Sequence, residues 1–255
     1  MFPPATRSQL ALISSLHRSS NRRESGLFLA EGEKVVDELL QSKISIHSIY
    51  GTKLYFENRQ GVFSGKDVFT VGEKDLERIS TLVTPNQVLA VCHIPVPNAF
   101  DFLAAGKTIL LLDGISDPGN LGTIIRTADW FGVDAVFCSP GSADQWNSKV
   151  IQSAMGSLFR IPVYQSSLSL VLDSIESAGI YASIGGVLNG SPLDQIPKDL
   201  SAIALVIGSE SHGISMEIQS RLNYRATISK GRDSKTESLN AAVATGILLF
   251  QFTKK

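Results

Sequence analysis

Residues 108–138 read TILLLDGISDPGNLGTIIRTADWFGVDAVFC, and this segment contains the clearest pattern in the chain. It predicts an apolar strand over 108–113, a helix over 121–131 and a second apolar strand over 134–138. Strands that are apolar along their whole length and alternate with helices are typical of a parallel sheet covered on both faces. The same alternation continues to the end of the chain, over 149–158, 168–178, 180–186, 202–208, 216–222, 225–229 and 237–252. The C-terminal part of the chain is therefore predicted to be α/β.

A smaller α/β module precedes this region. Its predicted elements are helices over 8–16, 33–41 and 73–81 and strands over 28–30, 44–50, 67–71 and 88–93. Pro95, Pro97 and Asn98 then interrupt the pattern, as is typical of a boundary between domains. We therefore predict two domains, residues 1–96 and residues 105–255.

The composition excludes several classes of protein. With 255 residues, 43% hydrophobic and 18% charged, the chain has the composition of a globular protein with a sizeable core. No apolar run is long enough to span a bilayer, and the N-terminus lacks the apolar core of a signal peptide. Cys92 and Cys138 are too few for a disulfide framework, and neither has a partner at metal-site spacing. We predict a cytoplasmic protein that uses neither a membrane nor a metal.

The charge is balanced overall but unevenly placed. The formal net charge of −1 excludes the strongly basic character by which many nucleic-acid-binding proteins are recognised. Residues 1–23 nevertheless contain four arginines and no acidic residue, and residues 221–235 contain five basic residues against one aspartate. Both segments fit a local contact with phosphate, and both also fit an ordinary solvated surface.

Polar and glycine-rich segments follow three of the predicted strands. In a parallel sheet, ligands bind outside the carboxyl ends of the strands, so these segments are candidates for a binding site. The first, over 110–132, has a glycine-rich loop that leads to Asn120 and a helix in which Arg126 stands among apolar residues. Asn120 fits a helix cap and Arg126 fits an end-of-helix salt bridge, although a guanidinium in an apolar helix favours a functional role.

The second and third segments also admit purely structural explanations. The second, ALVIGSESHGIS over 204–215, runs from a buried strand into a glycine-rich turn that carries Glu210. The third, over 226–250, passes through a basic loop to Ser238-Leu239-Asn240, which opens a helix of small residues. A glycine turn before a helix is common, and the serine or asparagine fits a plain helix cap.

Taken together and in this order, the three segments resemble the SpoU/TrmH branch of the SPOUT RNA methyltransferases over residues 108–252. The family's motifs are Asn-x-Gly-x-x-x-Arg, then Gly-x-Glu-x-x-Gly after an apolar strand, then Ser-Leu-Asn before a helix of small residues. The matching residues are Asn120, Gly122, Arg126, Gly208, Glu210, Gly213, Ser238, Leu239 and Asn240. One departure is visible, since the third motif often begins Ile-Pro-Met and this chain has Ile228-Ser229-Lys230, which changes the wall of the pocket.

The resemblance implies a fold, a methyl donor and partners. The fold is α/β, with a C-terminal trefoil-knotted SPOUT domain that the usual rules of chain connection would not predict. S-adenosylmethionine is the implied donor, and a ribose 2′-hydroxyl in RNA is the implied acceptor. A homodimer is also implied, with an interface that completes the site.

The resemblance further implies roles for the matched residues. Backbone around Gly208, Ile228 and Leu239 is expected to hold the donor, with glycine at 208 letting the main chain approach it. The expected catalytic residues are Asn120, Arg126, Glu210, Ser238 and Asn240. Because a guanidinium effectively keeps its proton in proteins, Arg126 is expected to clamp phosphate and hydroxyl rather than to act as the base.

The N-terminal module resembles an extension that is frequent in this family. FLAEGEKVVDELL, over 28–40, is similar to the start of a small α/β RNA-binding domain related to kink-turn-binding ribosomal proteins. Arg18, Arg22 and Arg23 are expected to contact RNA phosphates. Glu31 and Gly32 also fit a plain helix cap. With such a module the expected substrate is ribosomal RNA, and transfer RNA is the second choice.

Three rival interpretations remain open at this point. The first is a catalytically inactive RNA-binding protein of the same fold, which the intact set of motif residues disfavours. The second is a nucleotide-dependent α/β enzyme such as a dehydrogenase, which the absence of any G-x-G sequence disfavours. The third is a base-methylating relative, and here the first motif favours ribose. Of the remaining residues, Trp130 is predicted to pack in the core and Cys138 to be a small buried residue. The resemblance gives no role to His212, which is predicted to be structural or on the surface.

Overall fold

The predicted strands lie in two separate sheets. A computed structural model describes residues 2–57, 59, 61–96 and 108–253. The chain divides into two units: Met1–Val96 with Asp144–Phe159, and Pro97–Ala143 with Arg160–Lys255. Pro97 and Asn98, from which a domain boundary was predicted, lie outside the described residues.

The first unit contains a four-stranded sheet with helices against it. Its strands are β1 (Leu27–Glu31), β2 (Ile46–Gly51), β3 (Val68–Thr70) and β4 (Val88–His93). Its helices before residue 96 are α1 (Arg7–Ser15), α2 (Ser19–Ser25), α3 (Glu33–Leu40), α4 (Lys53–Glu57) and α5 (Glu73–Ile79). The strand order is β1-β4-β2-β3, with β4 antiparallel to both neighbours and β3 parallel to β2. The apolar runs at β1 and β4 are buried, which is why sequence pattern alone located them.

The second unit contains a six-stranded sheet in which every described neighbouring pair is parallel. Its strands are β5 (Thr108–Asp113), β6 (Ala135–Cys138), β7 (Val163–Gln165), β8 (Tyr181–Pro192), β9 (Ala202–Gly208) and β10 (Tyr224–Thr227). The helices are α6 (Pro118–Trp130), α8 (Leu168–Ala178), α9 (Met216–Ser220) and α10 (Ala241–Phe252), with α7 (Ser148–Ala154) belonging to the first unit. The strand order is β10-β8-β9-β5-β6-β7. The predicted α/β class with a parallel C-terminal sheet is confirmed.

The connection between β6 and β7 contributes to the first unit. Asp144 accepts hydrogen bonds from Arg22, and the Trp146 ring lies 4.5 Å from the Phe28 ring, centroid to centroid. Gln152 on α7 donates a hydrogen bond to the backbone carbonyl of Glu31 at the end of β1. The alternation of strands and helices gave no sign of this arrangement, because a helix over 149–158 fits equally well beside the parallel sheet. The domain limits 1–96 and 105–255 stay a prediction.

Two further differences from the sequence predictions have physical reasons. Trp130 is 85% exposed at the end of α6, so the prediction that it packs in the core is wrong. The last helix begins at Ala241 and not near residue 237, because Asn240 caps it. Cys138 is buried as predicted, and burial raises the pKa of its thiol to about 12.

The described ranges contain no helix that is both long and apolar enough to cross a membrane. They also contain no cluster of three or more His, Cys, Asp or Glu residues with a geometry that could hold a metal ion.

Candidate functional site

The carboxyl ends of the two central strands bring the first and second motif segments together. Asp113 on β5 and Gly208 on β9 are opposite each other in the register of this parallel pair. The Asp113 side chain accepts a hydrogen bond from the backbone N–H of Ser215, over 2.8 Å. The loops that follow these strands therefore run side by side at the edge of the sheet where a ligand is expected.

One residue from each motif meets at a single carboxylate. The Oε1 atom of Glu210 accepts hydrogen bonds from Asn120 Nδ2 at 2.7 Å and from Asn240 Nδ2 at 3.0 Å. The same oxygen accepts the backbone N–H of Ala241 at 3.2 Å. Hydrogen bonds to an ionised acceptor are stronger than neutral ones, so this Asn120–Glu210–Asn240 cluster ties the three segments firmly together. The structure thus unites three of the five predicted catalytic residues.

The two asparagines of the cluster differ in what else they do. Helix α6 is capped by Asp117, whose Oδ1 accepts the N–H of Asn120 at 2.7 Å. Asn120 therefore does not cap this helix. Asn240, by contrast, caps α10, since its Oδ1 accepts the N–H groups of Ala242 and Val243. Its amide nitrogen still serves the cluster. The capping alternative is therefore wrong for Asn120 and incomplete for Asn240.

A cavity of about 590 Å³ adjoins the cluster. Its walls come from the loops after β9 and β10, from the start of α10 and from the last part of β8. Every predicted donor-binding residue lines it, as do two of the predicted catalytic ones: Gly208, Ile228, Leu239, Glu210 and Ser238. The walls combine apolar side chains with main chain and few charged groups, as in sites for small organic ligands.

Glycine at position 208 has a reason within the chain itself, besides the expected approach to the donor. A Cβ atom built there would lie 2.0 Å from the carbonyl carbon of Gly213 and 2.2 Å from the nitrogen of Ile214. Gly213 itself has φ +67°, in the left-handed region that favours glycine. Glycine is therefore required at 208 because the main chain of Gly213 and Ile214 lies too close to leave room for a side chain. A larger residue at 208 is expected to disturb the loop and not only the binding of a ligand.

Arg126 does not line the cavity. It lies on the exposed face of α6, and no hydrogen bond or ion pair joins it to another described residue. The salt-bridge explanation for this arginine is thus unsupported in the described part of the chain. Its guanidinium is available to a ligand or to another molecule.

The three arginines expected to contact RNA have different surroundings. Arg22 is only 4% exposed, and its guanidinium donates to Asp144 and to the backbone carbonyls of Leu16 and His17. The expectation that Arg22 contacts RNA is therefore corrected, because its donors are already used inside the first unit. Arg18 and Arg23 are exposed, and their contact with RNA stays a prediction.

Glu31 of the same unit does not cap α3, which starts after Gly32. Its side chain is buried and accepts hydrogen bonds from Ser80 Oγ at 2.6 Å and from the backbone N–H of Thr81 at 3.0 Å. The carboxylate thus fixes the loop after α5.

One wall of the cavity, residues 186–189, was not predicted from the sequence. The predicted strand ended at 186, whereas β8 continues to Pro192. Glycines in this stretch were the available signal, because a glycine inside a strand often marks a close approach of another backbone. A Cβ atom on Gly190 would indeed lie 2.5 Å from the carbonyl oxygen of Arg225 on β10.

Two family models match the chain. Residues 107–250 match the SpoU rRNA Methylase family, and residues 8–90 match the MRM3-like substrate binding domain. The first match contains all three motifs. The second covers most of the N-terminal segment of the first unit, Met1–Val96.

Individual proteins show the same likeness. A Bacillus subtilis protein named 23S rRNA (guanosine(2553)-2′-O)-methyltransferase RlmP is 34% identical over 92% of both chains. A Danio rerio protein named rRNA methyltransferase 3A, mitochondrial, is 29% identical over 97% of this chain and 68% of its own.

Solved structures agree over nearly the whole length. A TrmH-family RNA methyltransferase structure from Porphyromonas gingivalis has a TM-score of 0.85 and 34% identity, covering 97% of this chain and 98% of its own. An AdoMet-bound rRNA methyltransferase from Sinorhizobium meliloti has a TM-score of 0.82 and 27% identity, covering 98% of this chain and 95% of its own.

Proposed function

The chain belongs to the SpoU rRNA methylase family, and we propose that it transfers a methyl group from S-adenosylmethionine to a ribose 2′-hydroxyl in ribosomal RNA. The observation that carries the proposal is the meeting of Asn120, Glu210 and Asn240 beside the cavity. An inactive RNA-binding protein of the same fold is disfavoured because the cluster lies beside a cavity of a size that suits the donor.

The cavity suits S-adenosylmethionine in size and in chemistry. Its volume of about 590 Å³ lies within the range of roughly 300–1,000 Å³ that is usual for small-ligand sites. Main chain at Gly208, Ile228 and Leu239 would hold the donor, with polar groups available to an adenine edge. When bound, the donor supplies an electrophilic methyl group on a sulfonium centre.

The residues around the cavity would orient the acceptor. A ribose hydroxyl is a poor nucleophile, so it must be held in line and lose its proton as it reacts. The Asn120–Glu210–Asn240 cluster would fix the loops, and Ser238, which lines the cavity, would contact the acceptor or the donor through its hydroxyl. Arg126 would hold the backbone phosphate and hydroxyl, because its guanidinium keeps its charge. The proton would pass to solvent, to an RNA phosphate or to a neighbouring group.

We propose a homodimer formed through α10. This helix has no charged residue along Ala241–Phe252, and a helix that is apolar all round is normally buried all round. One side packs on α6 and β9, yet Val243 is 52% exposed and Ile247 is 36% exposed on another side. A second copy covering this face would bury them. Since Arg126 lies on α6 and outside its own chain's cavity, it is proposed to serve the partner's site.

The first unit is proposed to select the RNA. Its likeness to an MRM3-like substrate binding domain supports this role, and the Bacillus subtilis relative is named for a guanosine of 23S rRNA. A guanosine of large-subunit ribosomal RNA is therefore the first substrate to test, and transfer RNA is the second. We further propose a cytoplasmic location, in keeping with the free, buried thiols of Cys92 and Cys138.

Mapping of 2′-O-methyl groups tests the proposal. Ribosomal and transfer RNA from cells with and without the gene are compared nucleotide by nucleotide. One position in ribosomal RNA is expected to lose its methyl group without the gene and to regain it when the purified protein is added with donor. Unchanged maps of both RNAs would contradict the proposal, and a change confined to transfer RNA would move it to the second substrate.

A further inference from the structure

Two opposite charges on the cavity wall have no partner among the residues that the structure describes. Among the described residues that line the cavity, Lys230 is the one lysine or arginine, and Glu210 and Glu237 are the carboxylates. Glu210 is occupied by the cluster. Neither Lys230 nor Glu237 makes a hydrogen bond or ion pair with another described residue, and both are exposed.

Lys230 and Glu237 belong to the loop between β10 and α10. Ile228, which begins this loop, and Leu239, which ends it, both line the cavity. Lys230 stands where the third motif of the family often has methionine, so the charge is a feature of this chain and not of the motif. An ammonium and a carboxylate thus stand on the same wall as the residues proposed to hold the donor.

We propose that Lys230 and Glu237 recognise the methionine end of S-adenosylmethionine. That end is a zwitterion: the Lys230 ammonium would bind its α-carboxylate, and the Glu237 carboxylate would bind its α-ammonium. The inference rests on the proposed function, because it takes the cavity to be the donor site. It adds two specificity-determining residues to that site.

The charges of the cavity favour a zwitterion over a polyanion. A phosphate of RNA that approached Lys230 would also meet the carboxylates of Glu210 and Glu237. The other basic residues of the loop, Arg232 and Lys235, do not line the cavity. These two residues are therefore better placed than Lys230 to contact RNA outside the cavity.

Calorimetric titration of the full-length protein tests the inference with three ligands. These are S-adenosylmethionine, its decarboxylated form and 5′-methylthioadenosine, which lacks the whole amino-acid end. Lys230→Met is expected to weaken S-adenosylmethionine about fivefold, the scale of an exposed ion pair, and to leave the decarboxylated form within about twofold. Glu237→Gln is expected to weaken both amine-containing ligands about fivefold and to leave methylthioadenosine unchanged. Lys235→Met, on the same loop but off the cavity wall, is the matched control and should leave donor affinity unchanged.

Each remaining outcome overturns the inference in a recognisable way. Equal weakening of all three ligands by Lys230→Met would show that the lysine shapes the loop. Unchanged donor affinity in that variant, with or without weaker RNA binding, would exclude a carboxylate contact. Failure of the unaltered protein to bind S-adenosylmethionine would contradict the proposed function itself, before any variant is compared.

Discussion

The amide nitrogen of Asn240 lies 2.9 Å from the side-chain oxygen of Asn120, a residue 120 positions earlier in the chain. The side-chain oxygen of Asn240 therefore caps α10, and its amide nitrogen donates to Asn120 in the first turn of α6. Both asparagines also donate to Glu210. The position of the last helix is thus linked to the geometry of the polar cluster by one side chain.

Substitutions of Asn240 should separate these two tasks. Asn240→Ala removes both and is expected to lower the free energy of unfolding by about 1 kcal/mol through loss of the cap. Asn240→Asp keeps a capping oxygen but replaces the donor with a carboxylate that repels Glu210, so activity should fall at least about tenfold with the cap retained. Urea unfolding and donor-saturated methylation rates measure the two effects. A fully active Asn240→Asp variant would show that the cluster does not support catalysis.

Arg126 should act on the chemical step and not on donor binding. Arg126→Ala is expected to reduce single-turnover methylation by about a hundredfold or more, because an oriented charged group is lost. Arg126→Lys keeps the charge but not the planar fork, so it should recover only a small part of the rate. Donor affinity, measured by calorimetry, should stay within about twofold in both. Rates close to those of the unaltered protein would make Arg126 dispensable.

Mixing two inactive variants should reveal whether Arg126 serves the partner's site. Arg126→Ala and Glu210→Ala are each expected to be inactive alone. In a mixed dimer, one site would combine an intact Glu210 with an intact Arg126 from the other chain, so random mixing should restore about a quarter of the activity. Variants are unfolded together, refolded and assayed against separately refolded samples. No gain on mixing would mean that both residues act within one chain.

The three arginines expected to contact RNA, Arg18, Arg22 and Arg23, should divide into two classes. Arg18→Ala and Arg23→Ala are each expected to weaken RNA binding and to reduce its dependence on salt by about one counterion. Arg22→Met should leave that salt dependence unchanged and act on stability. Removing its partner, as in Asp144→Ala, should lower the free energy of unfolding by about 2–3 kcal/mol, below the fully buried case because Asp144 is partly exposed. A reduced salt dependence in Arg22→Met would place this residue at the RNA.

Much of the second unit could be predicted because its central strands are apolar throughout. The predicted bounds at 108–113 and 202–208 match β5 and β9, and those at 168–178 match α8. Short strands carry little pattern, which is why β7, over Val163–Gln165, was missed.

What could not be predicted at the site depends on contacts between residues that are far apart in the sequence, or on close approaches between main-chain segments. Arg22 has the polarity of a surface residue, and its partner Asp144 is 122 positions away. At Gly208 the sequence pointed only to the donor and gave no sign of the main-chain atoms of Gly213 and Ile214 that also require glycine there. Trp130 was predicted to pack in the core at the end of its helix, yet it ends α6 in an exposed position. The order of the motifs was still sufficient to identify the residues that meet at Glu210.

Alkaline hydrolysis of ribosomal RNA after methylation by the purified protein tests ribose 2′-O-methylation most directly. Ribosomal RNA from cells that lack the gene is incubated with S-adenosylmethionine labelled in its methyl group and is then hydrolysed. A methyl group on a 2′-oxygen prevents cleavage of the adjacent phosphodiester, so the label should appear in one alkali-resistant dinucleotide. The Arg126→Ala variant should leave that dinucleotide nearly unlabelled. Label recovered in mononucleotides as a methylated base, or no transfer of label to RNA, would contradict ribose 2′-O-methylation.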